Sequence, residues 1–284
     1  MKSTMRPMFR VLCQATATRS AVLVVACFGA AGLWVAAQSA APSTGRAPAS
    51  AGPADPKLIE DLVVANRILA IEGVFDAMGQ VSVRHDRDPT RYLMAYARAP
   101  ELVTPEDIME FDLDSNPIDA RGRPLYKERF IHGEIYKARP DVIAVVHNHS
   151  PFVVSFSVSS VPLRALAHSG AFIGDRLPTF EIRGAGGMTD MLVSSPALGR
   201  ALAQTLGDKP ALLMRGHGAV TVGPNLPHAV GRSIYLEVNA KLQAQAMALG
   251  GTITYLDPEE ARKVEARRDY GRPWELWRRK ALFK

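Results

Sequence analysis

Three histidines stand where strand-like runs end, and their spacing suits a metal. His147 and His149 flank Asn148 just after the apolar run 142–146. On an extended chain, residues two apart project to the same side. His217 sits between Gly216 and Gly218, directly after the apolar run 211–214. Glycine neighbours remove side chains and permit unusual backbone angles. Imidazole suits Zn, Mn, Fe or Co, and three of them from two strand ends leave one side open for substrate or water. His147, His149 and His217 are therefore the candidate ligands of one divalent metal ion. Spacing alone leaves an alternative open: a hydrogen-bonded polar pair at one strand end and a glycine-rich turn that contains a histidine at the other.

Glu128 and His132 are four apart and share one face of the helix expected over 128–138. Glu128 is a candidate acid/base, with His132 as a supporting group behind the ligands; a surface ion pair of Glu128 with Lys127 or Arg129 is the alternative. Arg84 and Arg98 are candidates to hold a substrate carboxylate through two parallel hydrogen bonds, against the alternative of ordinary surface arginines. His168, in the loop Ala167-His168-Ser169-Gly170, is a candidate to line the pocket.

The elements that must position these groups follow from periodicity. Leu58, Ile59, Leu62, Val63, Ile68 and Leu69 recur at helical spacing. Short strands are expected over 81–84, 92–95 and 111–113. Thr104 followed by Pro105, Glu106 and Asp107 opens a helical turn, with a capping side chain, proline at the first position and acids at the positive end. A buried strand is expected over 142–146, a helix from Ser195-Pro196 to 206, and strands over 211–214 and 220–222. A long helix over 229–249 is stopped by Gly250 and Gly251, and a charged helical tail over 259–284 carries Trp274 and Trp277. Mixed strands and helices of this kind make a layered α/β domain.

The chain has 284 residues, with Lys+Arg 34 against Asp+Glu 28, a formal charge of +6. Lys2, Arg6, Arg10 and Arg19 supply four of those charges; without them the balance is 30 against 28, or +2. No basic block interleaved with aromatics follows, so nucleic acid is not an expected partner. Residues 1–20 are basic without an acid, residues 21–37 are apolar, and small residues follow. That order predicts a signal peptide or membrane anchor over 1–37, hence an exported protein, periplasmic or tethered to the membrane. Residues 38–55, rich in Ala, Pro, Ser and Gly, are expected to be a flexible linker. Both cysteines, Cys13 and Cys27, lie in the first segment, which leaves the body without disulfides, cysteine zinc sites or thiol nucleophiles.

Taken in order, the motifs resemble the class II aldolase/adducin family, over about residues 57–251. The resemblance rests on Gly79-Gln80-Val81-Ser82-Val83-Arg84, Leu102-Val103-Thr104-Pro105-Glu106-Asp107-Ile108, Glu128 spaced before His132, Ile135 and Tyr136, Ala138-Arg139-Pro140-Asp141-Val142, Val146-His147-Asn148-His149 and Arg215-Gly216-His217-Gly218. It implies a class II aldolase-like domain over 56–258, a central mostly antiparallel sheet flanked by helices. It implies a divalent metal (Zn, Mn, Co or Fe) on His147, His149 and His217, with Glu128 as acid/base. It also implies a homotetramer in which neighbours complete each site. The small hydroxyl and Asn residues with which sugar-phosphate members hold phosphate are replaced here by Gln80, by the 95–101 loop and by Tyr126-Lys127. Arg98-Ala99-Pro100-Glu101-Leu102-Val103-Thr104 and Glu128-Arg129-Phe130-Ile131-His132-Gly133-Glu134-Ile135-Tyr136 instead look like the branch that decarboxylates hydroxylated aromatic and heteroaromatic acids. That branch usually carries His where this chain has Gln80. The expectation is thus a metal-dependent carbon–carbon lyase on a small molecule, a decarboxylase of such an acid. An aldolase or epimerase on an unphosphorylated substrate is the alternative. A silent adducin-like interaction module is disfavoured by the complete histidine set.

Overall fold

The strand 80–84 shows in miniature how the chain divides its faces. Val81 and Val83 point into one hydrophobic layer, while Gln80, Ser82 and Arg84 point to the other side, as the two-residue period of a strand requires. The computed structural model describes residues 49–283; the expected targeting segment 1–37 and residues 38–48 lie outside the described residues. In chain order the elements are α1 (Pro56–Ile71), β1 (Gln80–Arg84), β2 (Arg91–Ala95), β3 (Ile108–Asp112), α2 (Arg129–Ala138), β4 (Ala144–Asn148), α3 (Pro151–Ser157), β5 (Thr179–Phe180), α4 (Ile182–Gly186), α5 (Pro196–Leu206), β6 (Ala211–Met214), β7 (Gly218–Gly223), α6 (Leu226–Leu249), α7 (Pro258–Glu265) and α8 (Gly271–Phe283).

The strands form one sheet in the order β3-β2-β1-β4-β7-β6-β5. Every pairing is antiparallel except the short β5 against β6. Helices α2 and α5 cover one face through Ile131, Ile135, Tyr136, Leu202 and Leu206 over Tyr92, Met94, Val145 and Val220. On the other face α1, α6 and α8 pack on Val81, Val83, Leu93, Ala144 and Val146. The fold is a layered α/β domain, a mostly antiparallel sheet flanked by helices, as expected.

Several boundaries depart from expectation: β3 starts at Ile108 rather than 111 and α6 at Leu226 rather than 229. Strand β4 does not stop before His147 but runs through it to Asn148, because β7 pairs along its whole length, His147 against Val220 and Asn148 against Ala219. The expected flexible linker is corrected over residues 49–55, which are tied to the sheet. Ser50 Oγ donates to Glu110 Oε2 at 2.5 Å, the Ala51 amide donates to Glu110 Oε1 at 2.8 Å, and Arg91 donates to the Ala49 carbonyl at 3.2 Å.

The tail is two helices rather than one, α7 and α8. Its tryptophans are occupied within the chain: Trp277 is buried in the α1–α6 layer and its ring centroid lies 5.8 Å from that of Tyr235. No helix among the described residues is long and apolar enough to cross a membrane.

Candidate metal centre

The site lies at the sheet end where β4 stops and β7 begins. His147 is still in β4, His149 follows it, and His217 sits in the turn between β6 and β7. That turn needs both glycines for different reasons. Gly216 has φ +62, a left-handed conformation that side chains resist. A Cβ on Gly218 would stand 1.8 Å from the Asn148 carbonyl oxygen, so only glycine lets β7 close against β4 there. The close pairing carries His217 to His149, their Nε2 atoms 3.1 Å apart although the residues are 68 apart in sequence. Glu128 arrives from the opposite element, at the N-cap of α2, where the positive helix end favours a carboxylate.

One donor atom from each of Glu128, His147, His149 and His217 lies within 4.8 Å of every other. Glu128 Oε2 is 3.2 Å from His147 Nε2 and 3.5 Å from His217 Nε2. Ligand atoms at ~2.1 Å from an ion in tetrahedral array stand about 3.4 Å from one another, so the spacing fits a divalent ion.

The orientation of the rings fits as well. His147 Nδ1 faces the Ala219 carbonyl at 3.1 Å, and His217 Nδ1 faces the Met191 carbonyl at 3.1 Å. A carbonyl can only accept, so each Nδ1 carries the proton and each Nε2 presents its lone pair inward. Such outer partners fix the tautomer of metal-binding histidines.

The electrostatics of the metal-free cluster follow from burial and mutual contact. Burial pushes the Glu128 carboxyl upward, but His147 and His217 outweigh it and hold the group well below the usual carboxylate range. Burial lowers His217, yet the Glu128 hydrogen bond and charge leave it net raised. His149 is pushed down to about 4 by burial and by its two histidine neighbours. The carboxylate thus stays ionised beside imidazoles that would exchange any proton for a metal cation. Glu128 Oε1 is pinned by the Val193 amide at 3.0 Å, leaving Oε2 to face the cluster.

The structure brings Glu128, His147, His149 and His217 together, and places the other candidates elsewhere. His132 is fully buried one turn along α2; its Nδ1 lies 2.7 Å from Ser82 Oγ, and it hydrogen-bonds to none of the four. Burial and the nearby His147 push it down to about 3, so it is neutral.

Arg84 is corrected as a substrate-binding residue. Its guanidinium donates to the carbonyls of Val142 at 3.1 Å, Tyr136 at 3.0 Å, Arg139 at 3.2 Å and Pro89. It also stands four residues along β1 from Gln80, the partner of His147. Arg84 therefore closes the loop between α2 and β4, with its donors spent on backbone.

Arg98, part-exposed, pairs with Asp107 at 3.1 Å and with the Tyr96 hydroxyl at 3.1 Å through Nη1, beside a buried carboxylate. His168 is exposed and lines a groove of about 900 Å³ with Tyr235, Lys263, Arg267, Arg268 and Arg272. None of the four cluster residues contributes to that groove. Three groups escaped sequence reasoning: the carbonyls of Met191 and Ala219 and the amide of Val193. They are backbone atoms, and residue types carry no signal for them.

Comparison with known proteins places this geometry among relatives. The Class II Aldolase and Adducin N-terminal domain family matches residues 60–244. The chain is 32% identical over 235 residues to decarboxylase tropJ of Talaromyces stipitatus, covering 74% of this chain and 88% of that protein. It is 29% identical to a 3,4-dihydroxyphthalate decarboxylase of Arthrobacter keyseri, covering 68% and 80%. Among solved structures it resembles an L-fuculose 1-phosphate aldolase from Glaciozyma antarctica, with TM-score 0.66, 27% identity, and coverage of 79% of this chain and 88% of that one.

Proposed function

The chain belongs to the class II aldolase and adducin family, and from that premise we propose that it is a metal-dependent carboxy-lyase acting on a hydroxylated aromatic or heteroaromatic acid. The observation that carries the reading is the cluster itself: three imidazole nitrogens and one carboxylate oxygen within 4.8 Å, with the other carboxylate oxygen fixed by the Val193 amide. The similarity to two decarboxylases supports carboxyl loss over aldol cleavage.

His147, His149 and His217 would hold the ion, with the Glu128 carboxylate beside them. When bound, a divalent ion supplies a Lewis acid for negative charge on a substrate oxygen. The remaining chemistry belongs to the side chains. Glu128, ionised at rest, accepts the proton of the ring hydroxyl. The bond between ring carbon and carboxyl carbon breaks, its electron pair stays on the ring carbon, and carbon dioxide leaves. Glu128 then returns its proton to that carbon, and the oxyanion takes one from solvent. His132, hydrogen-bonded to Ser82 and neutral, adds no positive charge near the ligands.

The test is carbon dioxide release from a panel of hydroxylated aromatic acids, with and without a chelator. Metal-dependent release is expected. No release from any member, together with cleavage of an unphosphorylated hydroxy-carbonyl compound, would replace this reading with the aldolase one.

Three further expectations belong to the same proposal. Residues 1–37 direct export or tether the protein to a membrane, checked by fractionation with N-terminal sequencing; a cytosolic protein starting at Met1 would end that idea. The working form is a tetramer, checked by light scattering, and a monomer at assay concentration would count against it. The metal is one of Zn, Mn, Co or Fe, which elemental analysis distinguishes.

A further inference from the structure

The segment between α4 and α5 touches both halves of the centre through its backbone. The Met191 carbonyl receives His217 Nδ1 at 3.1 Å, and two residues later the Val193 amide donates to Glu128 Oε1 at 3.0 Å. Met191 does this with φ 68, in a region that costs a residue with a side chain about 1–3 kcal/mol unless its surroundings impose it. The surroundings do impose it. Thr189 Oγ1 accepts from the Met191 amide at 3.0 Å, and Asp190 Oδ1 accepts from the Leu192 amide at 3.2 Å. Consecutive side-chain turns of this kind hold the chain in a fold it would otherwise leave. A Cβ placed on Gly216 would lie 3.4 Å from the Met191 Cε, so the side chain rests over the turn that carries His217.

We propose that Met191 is a positioning residue: its left-handed backbone aims a carbonyl at His217, and the same rigid turn delivers the Val193 amide to Glu128, so that one segment sets the metal ligand and the acid/base in register. A histidine ring can rotate, and an imidazole that turns its Nδ1 away from a carbonyl loses both its tautomer and its aim. His147 obtains its carbonyl from β7, inside the sheet. His217 sits in a turn, outside any ladder, and obtains its carbonyl only because Met191 is held in a strained conformation. Thr189 and Asp190 are the clasp, and they are exposed, so the device is built at the surface and acts on a buried atom.

The test compares two substitutions at one position in the full chain. Gly adopts positive φ freely, whereas a β-branched residue there is a severe outlier. Metal-free protein is titrated with Zn²⁺ or Mn²⁺ against a chromophoric chelator. Met191→Gly should keep the affinity within about twofold, and Met191→Val should weaken it by roughly 10–100-fold, the usual cost of losing an outer partner of a metal-binding histidine.

Wild-type affinity in Met191→Val would overturn the proposal. So would equal losses in both variants, since the side chain and not the backbone would then matter. If Met191→Val does not fold, the double variant Thr189→Ala with Asp190→Ala removes the clasp and leaves Met191 in place. It should weaken binding in the same direction, and unchanged affinity there would equally overturn the proposal. The inference rests on the metal reading. A wild-type chain that binds no divalent ion in the same titration would fail that reading, whereas wild-type binding by the variants fails only this one.

Discussion

Replacing Glu128 with Gln separates the acid/base from everything else the residue does. The amide oxygen can still accept from the Val193 amide, as Oε1 does at 3.0 Å. The amide nitrogen then occupies the place of Oε2, 3.2 Å from His147 Nε2 and 3.5 Å from His217 Nε2. It can donate to those lone pairs, so the metal-free variant keeps its buried groups satisfied and should fold. What it cannot do is take up the hydroxyl proton and return it to carbon. Loss of one acid/base group typically costs ~10²–10⁴-fold in rate, or about 3–5 kcal/mol of barrier at 1.36 kcal/mol per decade.

Two effects on the ion must be kept apart from this. The variant loses an anionic donor from the cluster, and its amide competes for the imidazole lone pairs, so metal binds more weakly. The assay is therefore carbon dioxide release at metal saturation, with bound ion measured on the same sample. kcat should fall by at least a hundredfold with KM nearly unchanged, because Glu128 acts in the transition state rather than in binding. A fully loaded variant with kcat within about tenfold of wild type would refute the argument and leave Glu128 as a ligand only.

Arg84→Ala should be a stability variant. It strands four carbonyls that now receive the guanidinium, a cost of about 3 kcal/mol for charged hydrogen bonds in a buried loop. Thermal or denaturant unfolding should show that loss while activity per folded molecule stays within about threefold; normal stability with lost activity would restore Arg84 as a substrate group. Metal uptake should release protons near neutral pH. His217 is raised above its ordinary 6.5 by Glu128, so its pairing stabilises the metal-free chain below that value and the benefit fades as pH rises through the folded pKa. Metal affinity must run the other way, climbing with pH until His217 is neutral. Calorimetry in two buffers of different ionisation enthalpy reads the protons released, and an affinity flat between about pH 6 and 8, the usual titration range of histidine, would contradict the Glu128–His217 pairing.

The histidine and glutamate positions were readable because side-chain chemistry and strand ends both mark them. His147 and His149 follow an apolar run, and His217 carries its glycines with it. Arg84 was misread for a physical reason. Sequence places Arg84 on a strand but does not tell which end of the sheet the site occupies, and the β1–β4 register puts Gln80, not Arg84, beside His147. The pairing of Arg98 with Asp107 was not legible, because Asp107 lies nine residues on, across a turn whose geometry is set by the capping box at Thr104. Short elements were also missed: α3, α4 and the two-residue β5 are too brief for periodicity to register. The strand over 211–214, the helix from Pro196 and the long helix to Leu249 were legible because each runs long enough, or is punctuated by proline and glycine clearly enough, to declare itself.

The pairing of β4 with β7 has a consequence for how the protein is made. His149 and His217 belong to segments separated by α3, β5, α4, α5 and β6, and Glu128 arrives on a third. An unfolded chain presents those groups on a large loop whose closure is entropically costly, so the ion has no assembled site until the central strands have joined. An ion that binds only the finished sheet draws the folding equilibrium toward it, by ~4 kcal/mol when free metal exceeds Kd a thousandfold. Supply of metal then becomes a determinant of how much folded protein accumulates, and the centre serves as a late checkpoint of assembly as well as a place of chemistry.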